Sequence, residues 1–175
     1  IFDGQGKVEA LEGIIIDITD RKMSENALKY SIEHDSWTGL LNRRSLESFL
    51  DRKMNRDDGG KMALIVINLS GLQSLTTAFG FHYVQDLIRK VSDTLSLQTS
   101  HQKLLFRTYE NRFVLYLEDY QDMERLMETC EGLAGTLQQL LSSERVGGGI
   151  GVVVIEQGRQ ESIDRLLQRL LIASE

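Results

Sequence analysis

The sequence predicts an α/β (α+β) fold, in which helices pack against one mixed central sheet that contains an antiparallel hairpin. Residues 62–69 (MALIVINL) form a nearly unbroken apolar run of strand length, as expected of a central strand covered on both faces. Residues 103–108 and 112–118 are two further strand-like segments with only three residues between them. Strands this close in sequence should pair as an antiparallel hairpin.

Segments with helical periodicity surround these strands. Residues 45–54 and 82–97 repeat apolar side chains at helical spacing, which predicts two amphipathic helices. Further helices over 121–141 and 162–173 flank a strand over 149–155.

Three consecutive glycines precede the last predicted strand, at residues 147–149. A phosphate-binding loop would lead into a helix, whereas these glycines lead into a strand. We therefore interpret them as a bend or bulge at the start of that strand.

The first 35 residues follow a different pattern. Residues 8–18 are rich in β-branched side chains and follow an Asp-Gly turn signal, so a strand is predicted there. A helix capped by Thr19 or Asp20 follows and runs to about His34. It carries a stripe with 4-3-4 spacing, made of Met23, Ala27, Tyr30 and His34. The stripe is typical of a short coiled-coil linker, and simple packing on the following domain is the alternative.

The amino-acid composition argues against several classes of protein and of binding site. The 175 residues include 26 Asp and Glu against 20 Lys and Arg, a net charge of −6 that argues against a nucleic-acid partner. The single cysteine, Cys130, excludes a disulfide scaffold and is expected in the core. The three histidines lack metal-ligand spacing, so no metal site is expected from them. No apolar run approaches the roughly 18 residues of a membrane span, and no membrane contact is expected within this fragment.

Residues 35–44 (DSWTGLLNRR) resemble the D-x-L-T-G-L-x-N-R-R opening of GGDEF domains, the diguanylate cyclase family, with Trp37 in place of Leu. Residues 11–22 (LEGIIIDITDRK) resemble the end of a PAS sensor domain. These resemblances imply three segments. Residues 1–19 would be the C-terminal strand of a PAS domain, 20–35 a linker (signalling) helix, and 36–175 a GGDEF-like, nucleotidyl-cyclase-like domain truncated near its C-terminal end.

The resemblance also assigns site positions. The family binds Mg²⁺ through the first Asp of a D-x-D strand, a neighbouring backbone carbonyl and the third residue of the signature loop, which correspond to Asn68, Leu69 and Asn111. The family's guanine-reading Asn and Asp correspond to Thr76 and Gln85. These five residues are the predicted, vestigial nucleotide-binding positions.

The signature loop itself departs from the family pattern. Residues 109–113 read YENRF, so the two signature glycines are Tyr109 and Glu110, and only Phe113 is retained. Gln73 stands where the family has a phosphate-contacting Lys. Phosphoryl transfer relies on Mg²⁺ held by anionic oxygens, and an Asn side chain keeps an oxygen but loses the charge. We therefore predict no catalytic residue and no metal site.

Structural interpretations also exist for single residues. Asn68 could satisfy turn backbone, Asn111 could be a hairpin residue that tolerates positive φ, and Arg107 could be a solvated or salt-bridged strand residue. The family's inhibitory R-x-x-D corresponds to residues 100–103 (SHQK), so feedback binding of cyclic di-GMP is not expected there.

The expected function is that of a catalytically silent GGDEF-like regulatory module in a PAS-containing cyclic di-GMP signalling protein. It would relay the sensor state by dimerisation or GTP binding to a downstream EAL-type phosphodiesterase domain. A homodimer through the linker helix and a cytoplasmic location are expected, including as the cytoplasmic part of a membrane-anchored sensor. No cofactor is expected, and Mg²⁺ and GTP would bind only if residual binding persists. The alternatives are an active diguanylate cyclase with unusual ligands and a ligand-free dimerisation relay.

Overall fold

The computed structural model describes residues 5, 15–56, 60–100, 103–156 and 161–173. The chain divides into two compact units, residues 1–32 and residues 33–175. The first unit contains most of helix α1 (Thr19–Glu33), which has no buried residue. A helix is therefore present where the linker helix was predicted, although it ends at Glu33 and leaves His34 outside it; its role as a linker stays a prediction.

The second unit is built on a five-stranded mixed sheet, which confirms the predicted fold class. Its strands are β1 (Leu41–Asn42), β2 (Met62–Ser70), β3 (Lys103–Tyr109), β4 (Arg112–Glu118) and β5 (Gly147–Ile155). The spatial order is β1-β3-β4-β2-β5. Strand β2 is antiparallel to both of its neighbours, β4 and β5, while β1 runs parallel to β3.

Helices cover both faces of this sheet. They are α2 (Arg43–Met54), α3 (Leu72–Phe79), α4 (Phe81–Ser96), α5 (Met123–Leu141) and α6 (Ile163–Ala173). Helices α3, α4 and α5 pack on one face, against β2 residues that include Ile65 and Ile67. Helices α2 and α6 pack on the other face, against Leu64 and Val66. Because β2 is covered on both faces, its sequence is a continuous apolar run instead of an alternating one.

Side-chain caps set the start of two helices. The Asn42 Oδ1 accepts from the backbone N–H of Ser45 at 3.0 Å, so α2 begins at Arg43, two residues before the predicted start. The Asp122 Oδ1 accepts from the backbone N–H of Arg125 at 2.9 Å and starts α5 in the same way. Such caps satisfy helix N–H groups that have no partner within the helix.

The predicted hairpin is confirmed, with β3 and β4 joined by Glu110 and Asn111. The pairing register shifts between Arg107 and Tyr109, so the tip of the hairpin is irregular. The carbonyl of Asn111 accepts from the backbone N–H of Leu69 at 2.8 Å. This bond fixes the tip of the hairpin against the end of β2.

The glycine prediction is wrong, because residues 147–149 form no bend or bulge. They begin β5 and pair in regular register with Ser70, Leu69 and Asn68 of β2. A Cβ atom on Gly147 would lie 2.7 Å from the Ser70 Oγ, and one on Gly148 would lie 2.8 Å from the Asn68 carbonyl oxygen. The glycines are needed because the two strands approach each other closely.

Most of the predicted N-terminal strand lies outside the described residues. Of residues 8–18, only 15–18 are described, and they form no strand. On α1, the stripe residues Met23 and Tyr30 are exposed. No helix in the described ranges is both long enough and apolar enough to cross a membrane.

Candidate functional site

The end of β2 and the tip of the β3–β4 hairpin form the candidate site. In the β2–β4 register, Asn68 lies opposite Arg112, which immediately follows the hairpin turn. The sheet therefore brings together three of the five predicted site residues, Asn68, Leu69 and Asn111. Asn111 lies more than 40 residues from Asn68 and Leu69 along the chain, so strand pairing is what brings it next to them.

The side-chain amide of Asn111 bridges the other two residues. Its Nδ2 donates to the Asn68 Oδ1 at 2.9 Å and to the Leu69 carbonyl oxygen at 2.9 Å. Both amide hydrogens are thereby used. Among the described non-glycine residues, positive φ occurs at Asp119 and Arg145. Asn111 lies in the hairpin turn, as its structural interpretation predicts, although its φ is not positive, and its amide hydrogen bonds hold it there.

This donor set is a poor match for Mg²⁺. The ion prefers hard, anionic oxygen ligands, and the three residues supply two neutral amides and one carbonyl. At two of the three positions that the resemblance assigns to the metal, Asn68 and Leu69, the oxygens instead accept hydrogen bonds from Asn111, the third. In the described part of the chain, no cluster of three or more His, Cys, Asp or Glu side chains could hold a metal ion.

Thr76 and Gln85, which stand at the family's guanine-reading positions, lie on helices and outside the hairpin. Thr76 is on α3, where its Oγ1 donates to the Leu72 carbonyl of the same helix at 2.9 Å. Gln85 is half-buried on α4. The hydrogen-bonded cluster at the hairpin tip is thus built from Asn68, Leu69 and Asn111.

Arg107 joins the hairpin to the segment that follows α1. It is only 5% exposed, and its Nη1 pairs with the Asp35 Oδ2 at 2.9 Å. Its Nη2 donates to the Glu110 carbonyl at 2.8 Å, and its guanidinium lies 5.5 Å from the centre of the Trp37 ring. The salt-bridged interpretation of Arg107 is confirmed and the solvated one is wrong.

Asp35 is itself held by further hydrogen bonds. Its Oδ2 accepts from the backbone N–H of Thr38 at 2.8 Å and from the Thr38 hydroxyl at 2.7 Å. Burial acts to raise the pKa of Asp35, but the hydrogen bonds from Thr38 and Arg107 outweigh it, so the pKa is lowered from its usual value. The carboxylate therefore stays charged at neutral pH.

Tyr109 occupies the position of the first signature glycine and is flanked by two arginines. The guanidinium of Arg43 lies 5.2 Å from the centre of the Tyr109 ring, and that of Arg112 lies 5.3 Å from it. Arg43 also donates to the Tyr109 hydroxyl. This cluster was not predicted from the sequence, and the signal for it was that Arg43 and Arg112 lie on α2 and β4, which both contact β3.

Cys130 lies outside this site. It is buried on α5, as predicted, and burial followed by the charge of Glu131 raises the pKa of its thiol. A raised pKa disfavours the nucleophilic thiolate.

Comparison with known proteins identifies the family. The sequence model described as "Diguanylate cyclase, GGDEF domain" matches residues 32–173. The cyclic di-GMP phosphodiesterase PdeR of Escherichia coli K12 is 26% identical over 99 residues, which is 57% of this chain and 15% of PdeR. The diguanylate cyclase DgcM of the same strain is 24% identical over 163 residues, which is 90% of this chain and 38% of DgcM. The chain thus spans well under half of either relative.

The fold has similar solved structures. The coiled coil and GGDEF domain of DgcB from Caulobacter crescentus, in complex with c-di-GMP, superposes with a TM-score of 0.72 at 17% identity. This match covers 89% of this chain and 85% of that one. Since the family model matches most of the sequence and the folds agree, the chain belongs to the GGDEF family.

Proposed function

We propose that this chain is a catalytically silent GGDEF module of a cyclic di-GMP signalling protein, and that it relays the state of a PAS sensor to a downstream EAL-type phosphodiesterase domain. The proposal rests on one observation above all. The amide of Asn111, itself one of the three family metal-binding positions, donates to the oxygens of the other two, Asn68 and Leu69. The relative PdeR, named as a phosphodiesterase, supports a phosphodiesterase in the same chain.

Binding a metal would break these hydrogen bonds without offering a charge in return. A cation at the two oxygens would have to displace the Asn111 amide, and the groups that would ligate it, on Asn68, Leu69 and Asn111, are all neutral. Loss of even an outer-shell partner at a metal site typically costs about 10–100-fold in affinity or activity. Loss of two carboxylate ligands should cost far more.

The hairpin tip also opposes a triphosphate. Glycines would let a backbone approach the phosphates closely, whereas Tyr109 and Glu110 are both exposed here and add bulk and a negative charge. Gln73 supplies no positive charge in place of the family's Lys. These features favour a regulator over an active cyclase with unusual ligands.

The contacts of Arg107 favour a relay. One guanidinium connects Asp35, just after α1, to the Glu110 carbonyl at the tip of the hairpin. A change at the end of the linker helix can therefore reach the candidate site through one buried side chain. Dimerisation through α1 and a cytoplasmic location belong to the same proposal.

Product formation tests catalytic silence directly. The purified chain is incubated with GTP and either Mg²⁺ or Mn²⁺, and the nucleotides are separated by chromatography. We expect no cyclic di-GMP, while DgcM run in parallel as the positive control should form it. Cyclic di-GMP formed well above the no-enzyme blank would refute catalytic silence.

Calorimetry with GTP, with and without Mg²⁺, separates the two kinds of silent module. A measurable heat with micromolar affinity would identify a GTP-binding regulator. No heat under either condition would identify a ligand-free relay. Because Thr76 and Gln85 replace the family's guanine contacts, we expect weak binding or none, and little effect of Mg²⁺.

A further inference from the structure

A cavity of about 390 Å³ lies between α5 and the sheet. Ligand sites in proteins commonly measure about 300–1,000 Å³, so the cavity has the volume of a small-molecule site. The C-terminal half of α5, the segment that follows it, the start of β5 and two residues of β2 line the cavity. Of the predicted nucleotide-binding residues, only Leu69 contributes to it.

The interior of this cavity is apolar. Ile67 and Leu69 of β2 form one wall, and Leu137 and Leu141 of α5 form the opposite one. All four side chains are buried. An apolar portion of a ligand could lie against this surface without desolvating any polar group.

The exposed part of the lining is polar and carries one positive charge. Gln138, Ser142 and Arg145 are exposed residues that line the cavity. The guanidinium of Arg145 makes no hydrogen bond or ion pair with any other described residue. The neighbouring carboxylate of Glu144 is already engaged by the hydroxyl of Tyr83.

The backbone at Arg145 supports a special role for this residue. Its φ is +53°, a left-handed conformation that is strained for a residue with a side chain. Such strain persists only where the surroundings enforce it. Here the Arg145 carbonyl lies 3.3 Å from where a Cβ atom of Gly71 would be, so the strained residue is packed closely against the start of α3.

We propose that this cavity binds a small amphipathic organic anion. Its apolar body would lie between α5 and β2, and its anionic group would pair with the guanidinium of Arg145. The net charge of the whole chain is −6 and repels anions in general. A preference for an anionic ligand over a neutral one must therefore come from the positive charge of Arg145. The inference goes beyond the proposed function and does not depend on the metal or nucleotide positions.

Decanoate and decanol are suitable probes, because they share an alkyl chain and differ in charge. Both are titrated into the ¹⁵N-labelled chain, with decanoate below its micelle-forming concentration, while the amide signals of residues 147–149 are followed by NMR. We expect saturable shifts of these signals with either probe, and tighter binding of decanoate. No saturable shift with decanoate would overturn the proposal.

The charge is tested with Arg145→Gln. We expect the affinity for decanoate to fall about threefold to fivefold, as for loss of one exposed ion pair, and the affinity for decanol to stay the same. Arg165→Gln removes the same charge from the exposed face of α6 and should change neither affinity. An equal loss for both probes in Arg145→Gln would contradict pairing of the anion with Arg145.

The cavity is tested with Ala134→Phe, which adds a ring at an exposed lining position on α5 and leaves the buried walls intact. Binding of both probes should be lost. Gln139→Phe places the same ring on an exposed position of α5 that does not line the cavity, and binding should be retained. Unchanged binding in Ala134→Phe would place the probes elsewhere and refute the proposal.

Discussion

At the scale of single residues, Asn111 performs two tasks at the hairpin tip. Its backbone carbonyl accepts from Leu69, and its side-chain amide donates to Asn68 and again to Leu69. The pair of 2.9 Å bonds requires a donor at the end of this side chain, which an amide has and an ionised carboxylate lacks. The Asn side chain thus favours a closed, neutral cluster over a cation site.

Asn111→Asp should therefore destabilise the chain by about 1–3 kcal/mol in the absence of divalent ions, because a carboxylate would face two acceptor oxygens. Mg²⁺ should then raise the melting temperature of Asn111→Asp, while leaving that of the unmodified chain unchanged. Thermal unfolding with and without Mg²⁺ measures both effects.

Asn26→Asp is the matched control, since it adds the same charge on an exposed position of α1. It should melt near the unmodified chain and should not respond to Mg²⁺. A rise in the melting temperature of the unmodified chain with Mg²⁺ would argue against the closed amide cluster.

The Asp35–Arg107 pair gives a pH dependence whose sign is fixed by the lowered pKa of Asp35. A carboxyl group with a lowered pKa in the folded state contributes stability above its unfolded pKa of about 3.9, and that contribution is lost as the pH falls through the folded pKa. Asp35→Asn should cost about 1.5–3 kcal/mol at pH 7, as for loss of hydrogen bonds to a charged group. The difference from the unmodified chain should shrink below about pH 4.

Urea unfolding of both proteins between pH 7 and pH 3 measures this difference. A difference that stays constant over the whole range would mean that the charge of Asp35 does not stabilise the fold. Glu47→Gln removes an exposed partner of Arg43 on α2 and should cost less than about 1 kcal/mol.

The sequence could identify these residues but not their contacts. Asn68 and Asn111 were found through a family resemblance, whereas the hydrogen bonds between them depend on the β2–β4 register, which no local pattern encodes. The burial of Arg107 was missed for a similar reason. A charged residue in a strand usually faces solvent. The Arg107 side chain can be buried because its guanidinium donates hydrogen bonds to the Asp35 carboxylate and the Glu110 carbonyl.

At the scale of elements, β5 depends on glycines at its start, and a pair of alanine substitutions tests this. Gly148→Ala should destabilise the chain by about 1–3 kcal/mol, because the new Cβ would lie 2.8 Å from the backbone oxygen of Asn68. Gly132→Ala on α5 meets nothing within 4 Å and should stabilise the chain by about 0.5–1 kcal/mol. Denaturant midpoints measure both, and an unaffected Gly148→Ala would contradict the close approach of β5 to β2.

Elements with a strong local pattern were predictable. The apolar run of β2 and the short gap between β3 and β4 led to the observed strands. Strand β1 has only two residues, which is too few for a periodicity to show. The glycines of residues 147–149 were predicted to form a bend because glycine has an unusually free backbone. In the structure they matter because they lack a side chain, which lets β5 approach β2 closely. A glycine in a sequence does not show which of these two properties is used.

At the scale of the whole molecule, the PAS and linker boundaries proposed for residues 1–35 stay predictions. The fold of residues 33–175 is accounted for by a sheet with helices on both faces. Helix α1 is different, since it buries no residue and exposes several apolar side chains, among them Met23 and Tyr30. Isolated helices of about this length are only marginally stable in water, and the proposed dimerisation through α1 would give this helix a partner surface.

We expect that partner to be α1 of a second copy, which makes the chain a homodimer. Met23→Glu places a charge within the stripe that would face the partner helix, and it should shift the chain from dimer to monomer in light scattering coupled to size exclusion. Ser24→Glu adds the same charge one residue off the stripe and should remain dimeric. Because neither residue contributes to the core, both variants should keep the melting temperature of residues 33–175. A monomer for the unmodified chain at tens of micromolar would contradict dimerisation through α1, and with it the relay by dimerisation.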